Sequence, residues 1–300
     1  MDELRHACAA VAARARHVQI VADSIGPYAA SLATPTPQPE EQPQARDRER
    51  LAAFWLTLDA INFGSGWFPT LAKRDGRSGY QTIAAGVRDQ FDRDGPWTAA
   101  DLTQINAPKI AAVLGQRPGH ELMMLFAGSL NDLGTQVDAA HRGSFTGVVE
   151  SAGGSAVALV RTLRSWPCFA DSSRYDELEV PFRKRAQIAA ADLQRAGVAE
   201  FSDLAELTMF ADNLVPHVLR LDGVLEFDAR LVARIERGGL IEHGSPEEVE
   251  IRACAVHAVE LIVAERPEAC AAEIDQLLWL RGQGARYKTS PRHRSRCTAY

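Results

Sequence analysis

A chain of 300 residues, 46% hydrophobic and 24% charged, has the composition of an ordinary globular protein and is long enough to bury a core without disulfide or metal staples, which argues against intrinsic disorder. Its net charge of −6 argues against a broad electrostatic footprint for DNA or RNA. The five cysteines (Cys8, Cys168, Cys254, Cys270, Cys297) are odd in number, widely spaced and without a CxxC pair, so a disulfide framework or zinc ribbon is disfavoured and a reducing, cytoplasmic compartment is expected.

In chain order, the N-terminus carries Asp2, Glu3, Arg5 and His6 and lacks the basic-then-apolar order of a signal peptide. A first helix is expected near Leu4–Ile25, followed by a proline-rich surface loop over 34–47, where Pro35, Pro37, Pro39 and Pro43 cannot continue a helix. Leu51, Phe54, Trp55, Leu58 and Ile61 recur at three- and four-residue intervals, so 48–63 reads as a helix with one apolar face. Residues 119–141 repeat that pattern and stop at Gly143, a C-cap candidate. Shorter helices are expected over 186–193 and 203–210. Gly223–Phe227 and Gly239–Ile241 are short strand candidates, enough for one small hairpin at most. Ser245-Pro246-Glu247-Glu248 is a strong helix start, with a capping serine, a first-turn proline and a capping-box carboxylate, and the helix runs on through Ala264. No run of the ~18–20 apolar residues that a membrane helix needs is present, and no internal repeat is found. The expectation is a single, mainly α-helical domain spanning 1–300.

Several positions combine polar chemistry with helical spacing. Asp59 and Asn62 share a helix face beside Phe63 and Trp67; they form either a polar patch at a helix end or a holder for a flat heterocycle. Arg183-Lys184-Arg185 precede an apolar helix that contains Gln187, a donor and acceptor in one side chain. Asp212 follows an apolar segment just before a helix and either caps it or presents a carboxylate for chemistry. Glu250 and Cys254, like His257 and Glu260, share faces of the helix after Ser245, in no specific zinc arrangement. After Asp275 no acid occurs, whereas Arg281, Arg286, Lys288, Arg292, Arg294 and Arg296 follow: either a basic tail or an anion site built on arginine forks.

Together these segments resemble the queuosine salvage family. The resemblance begins near Arg16-His-Val-Gln-Ile20 and runs through Leu58-Asp-Ala-Ile-Asn-Phe63, Ser78-Gly-Tyr80 and Gly143-Ser-Phe145. It continues through Lys184-Arg-Ala-Gln-Ile188, Thr208-Met-Phe-Ala-Asp212 and Glu248-Val-Glu-Ile-Arg252, and closes on His293-Arg294, Arg296 and Tyr300. So many ordered matches over nearly the whole chain are more specific than any one of them. The sequence departs from the eukaryotic-type pattern at Asn213, Leu214 and His217, and Arg183 stands where a tyrosine is usual.

The resemblance implies a fold similar to helix-hairpin-helix DNA glycosylases and hydrolysis of the N-glycosidic bond of queuosine 5′-monophosphate to queuine and ribose 5-phosphate. It implies Asp212 as the catalytic carboxylate and Asp59 as an anchor for the cationic amine of the base. Phe63 would stack on the base while Asn62 and Gln187 read its edge, and Lys184, Arg185, His293 and Arg294 would contact the phosphate. Glu248, Glu250 and His217 are candidates for the proton donor. The reaction needs no metal and no organic cofactor, and the implied partner is a small nucleotide, without a stable nucleic-acid complex or a membrane. Competing readings are a DNA-repair glycosylase, weakened by the single glycine (Gly197) over 192–203, and a non-catalytic queuine carrier.

Overall fold

A computed structural model describes residues 1–33, 47–74 and 76–300; the proline-rich loop expected over 34–47 lies outside these apart from Asp47. The helices are α1 (Asp2–Ala12), α2 (Ala22–Ser31), α3 (Arg48–Ala60), α4 (Gly79–Asp94), α5 (Ala99–Thr103), α6 (Ala107–Leu114), α7 (Glu121–His141) and α8 (Phe145–Glu150). They continue with α9 (Ala156–Leu163), α10 (Lys184–Arg195), α11 (Val215–Leu221), α12 (Ala229–Glu236), α13 (Pro246–Ala264), α14 (Ala271–Arg281) and α15 (Ala285–Thr289). The strands are β1 (Val18–Ile20), β2 (Ser173–Tyr175), β3 (Leu178–Val180) and β4 (Leu225–Phe227). The expected mainly helical fold is therefore observed.

Local chemistry explains many of the boundaries. Asp47 accepts from Glu49 N–H to start α3, Ser78 and Gln81 form a reciprocal capping box for α4, and Ser245 caps α13 as expected, accepting from Glu248 N–H. At the end of α7 the left-handed residue is Arg142 (φ 53°), with Gly143 (φ 79°) following it rather than capping alone.

Three local expectations are corrected, in each case where a distant part of the chain, side chain or backbone, satisfies the local backbone. The single helix near Leu4–Ile25 is instead α1, β1 and α2. The interruption coincides with Glu250, whose Oε2 accepts the N–H groups of Arg16 (3.0 Å), His17 (2.6 Å) and Val18 (3.1 Å), and β1 then pairs antiparallel with β4, Val18 facing Phe227. The helix expected over 203–210 is one 3-10 turn at Leu204–Glu206. The chain beyond it is non-helical, with Thr208 N–H donating to Gln187 Oε1 (2.9 Å) and Phe210 N–H to Asp275 Oδ1 (3.0 Å). The hairpin is β2–β3, not a pairing of 223–227 with 239–241; Ile241 N–H bonds to Arg294 O instead (2.9 Å).

Two large buried clusters form most of the interior, beside a small third of Cys297, Ala299 and Tyr300. One is centred on α3, α7 and α10, the other on α1, α11, α13 and α14. Residues 51–60 of α3 are all buried, not one face only, as befits a helix surrounded by others. In α13 the run from Glu248 to Val256 is likewise buried, charged residues included. Those charges are paired: Arg252 Nη2 donates to Asp171 Oδ2 (2.7 Å), Arg252 Nη1 stands 3.5 Å from Glu248 Oε1, and its guanidinium lies over the rings of Phe182 (3.9 Å) and Tyr300 (4.5 Å). Burial without such partners would be prohibitive.

Candidate active site

A cavity of about 350 Å³ opens where the two clusters meet. Lys184, Ile188, Asp192 and Arg195 line it from one stripe of α10; Asp275, Gln276 and Trp279 line it from α14, in each case at helical spacing. Phe210, Asp212, Asn213 and Leu214 contribute from the non-helical segment and α11's approach, and Lys288, Ser290, Arg292, Arg294 and Tyr300 from the C-terminal stretch. That stretch lies close against the chain: a Cβ at Gly66 would come within 2.5 Å of Ser295 O, so glycine permits the contact. Phe63, Phe68, Tyr80 and Trp279 add aromatic surface, with the Tyr80 and Trp279 rings edge to face at 6.3 Å.

Among the described residues the lining holds seven basic side chains (Lys73, Arg77, Lys184, Arg195, Lys288, Arg292, Arg294) and three acids (Asp192, Asp212, Asp275). A chain of negative net charge thus concentrates positive charge in one concave place, which suits an anionic ligand. Arg292 and Arg294 are half-buried and make no side-chain hydrogen bond or ion pair among the described residues. Asp192 is held by Arg195, whose Nη1 also donates to Gln276 (2.9 Å).

Asp212 stands both at the start of α11 and in the cavity wall. Its Oδ1 accepts the N–H groups of Leu214 (2.8 Å) and Val215 (3.0 Å) and so caps α11, while the side chain lines the cavity. Lys184 is almost wholly buried, its Nζ donating to Asn62 O (2.9 Å) and Asn62 Oδ1 (3.3 Å). Burial pulls its pKa down to about 8, the carboxylate of Asp212 resists the fall and the Arg185 guanidinium adds to it. The turn that delivers Lys184 is strained: Arg183 adopts φ 55°, a conformation costly for a non-glycine residue, anchored by Arg183 N–H to Asp171 O (3.0 Å) and Lys184 N–H to Asp171 Oδ2 (2.9 Å).

Of the residues singled out in the sequence, the structure brings Asn62, Phe63, Lys184, Asp212 and Arg294 together on the cavity wall. The others lie behind it. Asp59 is fully buried and accepts from Asn62 Nδ2 (3.5 Å). Arg185 is buried beneath Phe63, 5.0 Å from its ring, and donates to the carbonyls of Ala60 (2.7 Å), Cys168 and Ala299 (3.3 Å). Gln187 braces the 207–210 segment through Thr208. His217, whose pKa burial lowers to about 4, hydrogen-bonds Tyr287 O through Nε2 (2.9 Å). Glu248 is paired with Arg252 and His243, and Glu250 with the backbone of 16–18 and Tyr175 OH (2.7 Å). His293 is buried, its carbonyl accepting from Asn213 Nδ2 (3.1 Å).

Asp275, Arg292, Trp279, Tyr80 and Arg195 were not singled out as site residues and do line the cavity. For Arg292 the basic tail was a usable signal. Asp275 carried none, since a lone acid in an amphipathic stretch reads as a solvated face. No group of three or more His, Cys, Asp or Glu able to hold a metal occurs among the described residues, and among them no helix is long and apolar enough to cross a membrane.

The family model described as queuosine salvage protein matches residues 41–300. A queuosine 5′-phosphate N-glycosylase/hydrolase of Sphaerobacter thermophilus is 35% identical over 293 residues, covering 93% of this chain and 91% of that protein. Proteins of the same name from Dictyostelium discoideum (32% identical, 82% of this chain and 77% of that one) and Mus musculus (28%, 85% and 84%) are also similar. With a family match over most of its length and relatives aligned across both of its buried clusters, the chain belongs to the queuosine salvage protein family.

Proposed function

We propose that this protein hydrolyses the N-glycosidic bond of queuosine 5′-monophosphate, releasing queuine and ribose 5-phosphate. The observation that carries the reading beyond family membership is one cavity that combines the Asp212 carboxylate with two arginines, Arg292 and Arg294, that have no hydrogen-bond or ion-pair partner among the described residues. Cleavage of the glycosidic bond builds positive charge at C1′, which a nearby carboxylate stabilises; Asp212 has that task. Arg294 and Arg292 hold the 5′-phosphate, whose geometry matches guanidinium forks. Lys184, fixed by Asn62, sets the electrostatics around Asp212, and Phe63, Tyr80 and Trp279 offer aromatic surface to the base, where stacking contributes about 1–3 kcal/mol. Asp59, Arg185, Gln187, His217, Glu248, Glu250 and His293 support this wall from behind.

Residues 1–300 act as one functional unit, since the cavity draws on positions from Asn62 to Tyr300. The ligand is a free nucleotide and not a held nucleic acid, in keeping with net charge −6 and a basic lining confined to one cavity. All five cysteines are free, consistent with a reducing cytoplasm. A carboxylate, water and a shaped pocket suffice, with no cofactor invoked. The test is mass-spectrometric: purified protein is incubated with queuosine 5′-monophosphate, queuosine and guanosine 5′-monophosphate. Catalytic release of queuine from the first supports the reading; binding without release supports a carrier, and inertness toward all three overturns it.

A further inference from the structure

The glycosidase reading leaves the departing base in need of a proton. Queuine is a 7-deazapurine, with carbon where a purine has N7, so the proton must reach the heterocycle elsewhere, and a donor must stand in the cavity. Of the three candidates read from the sequence, none lines it: Glu248 is held as an anion by His243 and Arg252, Glu250 accepts four hydrogen bonds, and His217 faces Tyr287 O. The acids that do line it are Asp192, Asp212 and Asp275. Asp192 is paired with Arg195, and Asp212 is the carboxylate assigned to C1′.

Asp275 differs from both. It is 5% exposed, lies on the cavity-facing stripe of α14, and makes no ion pair with any described residue. Its Oδ1 accepts Phe210 N–H (3.0 Å), which ties it to the segment that carries Asp212 two residues later; Oδ2 receives no hydrogen bond among the described residues. The charged groups facing it are Asp212 from that segment and Lys184 and Arg195 from α10. Burial, reinforced by the charge of Asp212, pushes its carboxyl well above the ordinary range, against the hydrogen bond from Phe210 N–H and the weaker pull of Lys184 and Arg195. Two carboxyl groups in one site whose environments differ in this way divide into a base-like and an acid-like member.

We propose that Asp275 is the proton donor to the departing base, a role that rests on the glycosidase reading above. The C1′–N bond breaks with its electron pair going to the base, the Asp275 Oδ2–H proton passes to the heterocycle, and Asp275 becomes a carboxylate. Water adds to C1′ and releases a proton, which restores Asp275. The net reaction consumes one water and yields ribose 5-phosphate and queuine with a neutral heterocycle.

The experiment compares wild type, Asp275→Asn and Asp212→Asn on queuosine 5′-monophosphate and on 4-nitrophenyl β-D-ribofuranoside 5-phosphate, whose leaving phenolate needs no proton. Asparagine keeps the acceptor for Phe210 N–H. Asp275→Asn is expected to lower kcat about 100-fold or more on the natural substrate and to stay within about threefold of wild type on the nitrophenyl substrate, whereas Asp212→Asn loses on both. Equal losses for Asp275→Asn on both substrates, or wild-type turnover of the nucleotide, overturn the assignment while leaving the glycosidase reading intact; a wild-type protein that releases no queuine overturns that reading itself. If Asp275→Asn does not fold, or wild type rejects the nitrophenyl substrate, the decision passes to the wild-type single-turnover rate constant on the nucleotide in D₂O. Slowing of the chemical step supports proton donation, and an unchanged rate overturns it.

Discussion

The Asp212 carboxylate accepts the N–H of Val215 at 3.0 Å, and through the same oxygen that of Leu214 at 2.8 Å, so the residue assigned to C1′ also fixes the start of α11. The two roles separate experimentally, because asparagine caps a helix nearly as well as aspartate but carries no charge. Asp212→Asn is expected to keep wild-type stability and to lower kcat by about a thousandfold, the scale of losing one electrostatic stabiliser of a transition state. Asp212→Ala should match that kinetic loss and also forfeit ~1 kcal/mol of stability for the missing cap. Urea unfolding beside turnover measurements checks both, and near-normal kcat in Asp212→Asn removes Asp212 from the chemistry.

Arg292 and Arg294 face the cavity and make no side-chain hydrogen bond or ion pair among the described residues. A charge-assisted hydrogen bond is worth about 1.5–3 kcal/mol, so Arg294→Ala should raise KM for the nucleotide roughly 10–100-fold with a smaller effect on kcat. Wild type should also discriminate nucleotide from nucleoside far more than the variant does. An unchanged ratio of kcat/KM for the two substrates would place the phosphate elsewhere.

Glu250 is a brace between α13 and the N-terminal chain: one carboxylate oxygen accepts three consecutive backbone N–H groups and the other accepts Tyr175 OH. Removing it leaves several partly buried donors unsatisfied, at roughly 1–3 kcal/mol each before relaxation. Glu250→Ala should therefore lose ~3–5 kcal/mol of stability, read by denaturant titration, with kcat per folded molecule preserved. A fall in kcat at unaltered stability would return Glu250 to the substrate site.

His243 Nδ1 stands 3.4 Å from Glu248 Oε1. Contact with Cys297, and then with Glu248, raises the His243 pKa from 6.5 to about 10. Burial works against ionised Glu248, yet His243 and Arg252 outweigh it and lower its pKa from 4.5 to about 2. The histidine contribution is thus complete below pH 6.5 and lost as pH rises through about 10; the glutamate contribution is complete above pH 4.5 and lost as pH falls through about 2. His243→Ala should accordingly lower the thermal midpoint most near pH 5–6, with the deficit shrinking toward pH 10. A deficit independent of pH would mean that packing, not charge, links the two residues.

The helical class, the helices over 48–63, 119–141, 186–193 and 245–264 and the cap at Ser245 were legible in the sequence, because hydrophobic periodicity and capping are local. So was the choice of Asp212, Lys184, Asn62, Phe63 and Arg294 as site candidates, which the fold gathers from α10, the segment after α3, the approach to α11 and the C-terminal stretch onto one cavity wall. What the tertiary structure alone decided was the outcome wherever a distant side chain competes with local preference. Glu250 accompanies the break in the first helix, and Gln187 and Asp275 accompany the non-helical course of the segment leading to Asp212. It also separated residues of similar character. Arg185 and Arg294 are both cations within basic runs, yet one is spent on buried carbonyls and the other faces the cavity. The physical reason is that a side chain's chemistry is set by its residue type, whereas its solvation and partners depend on contacts made hundreds of positions away, as between Arg16 and Glu250.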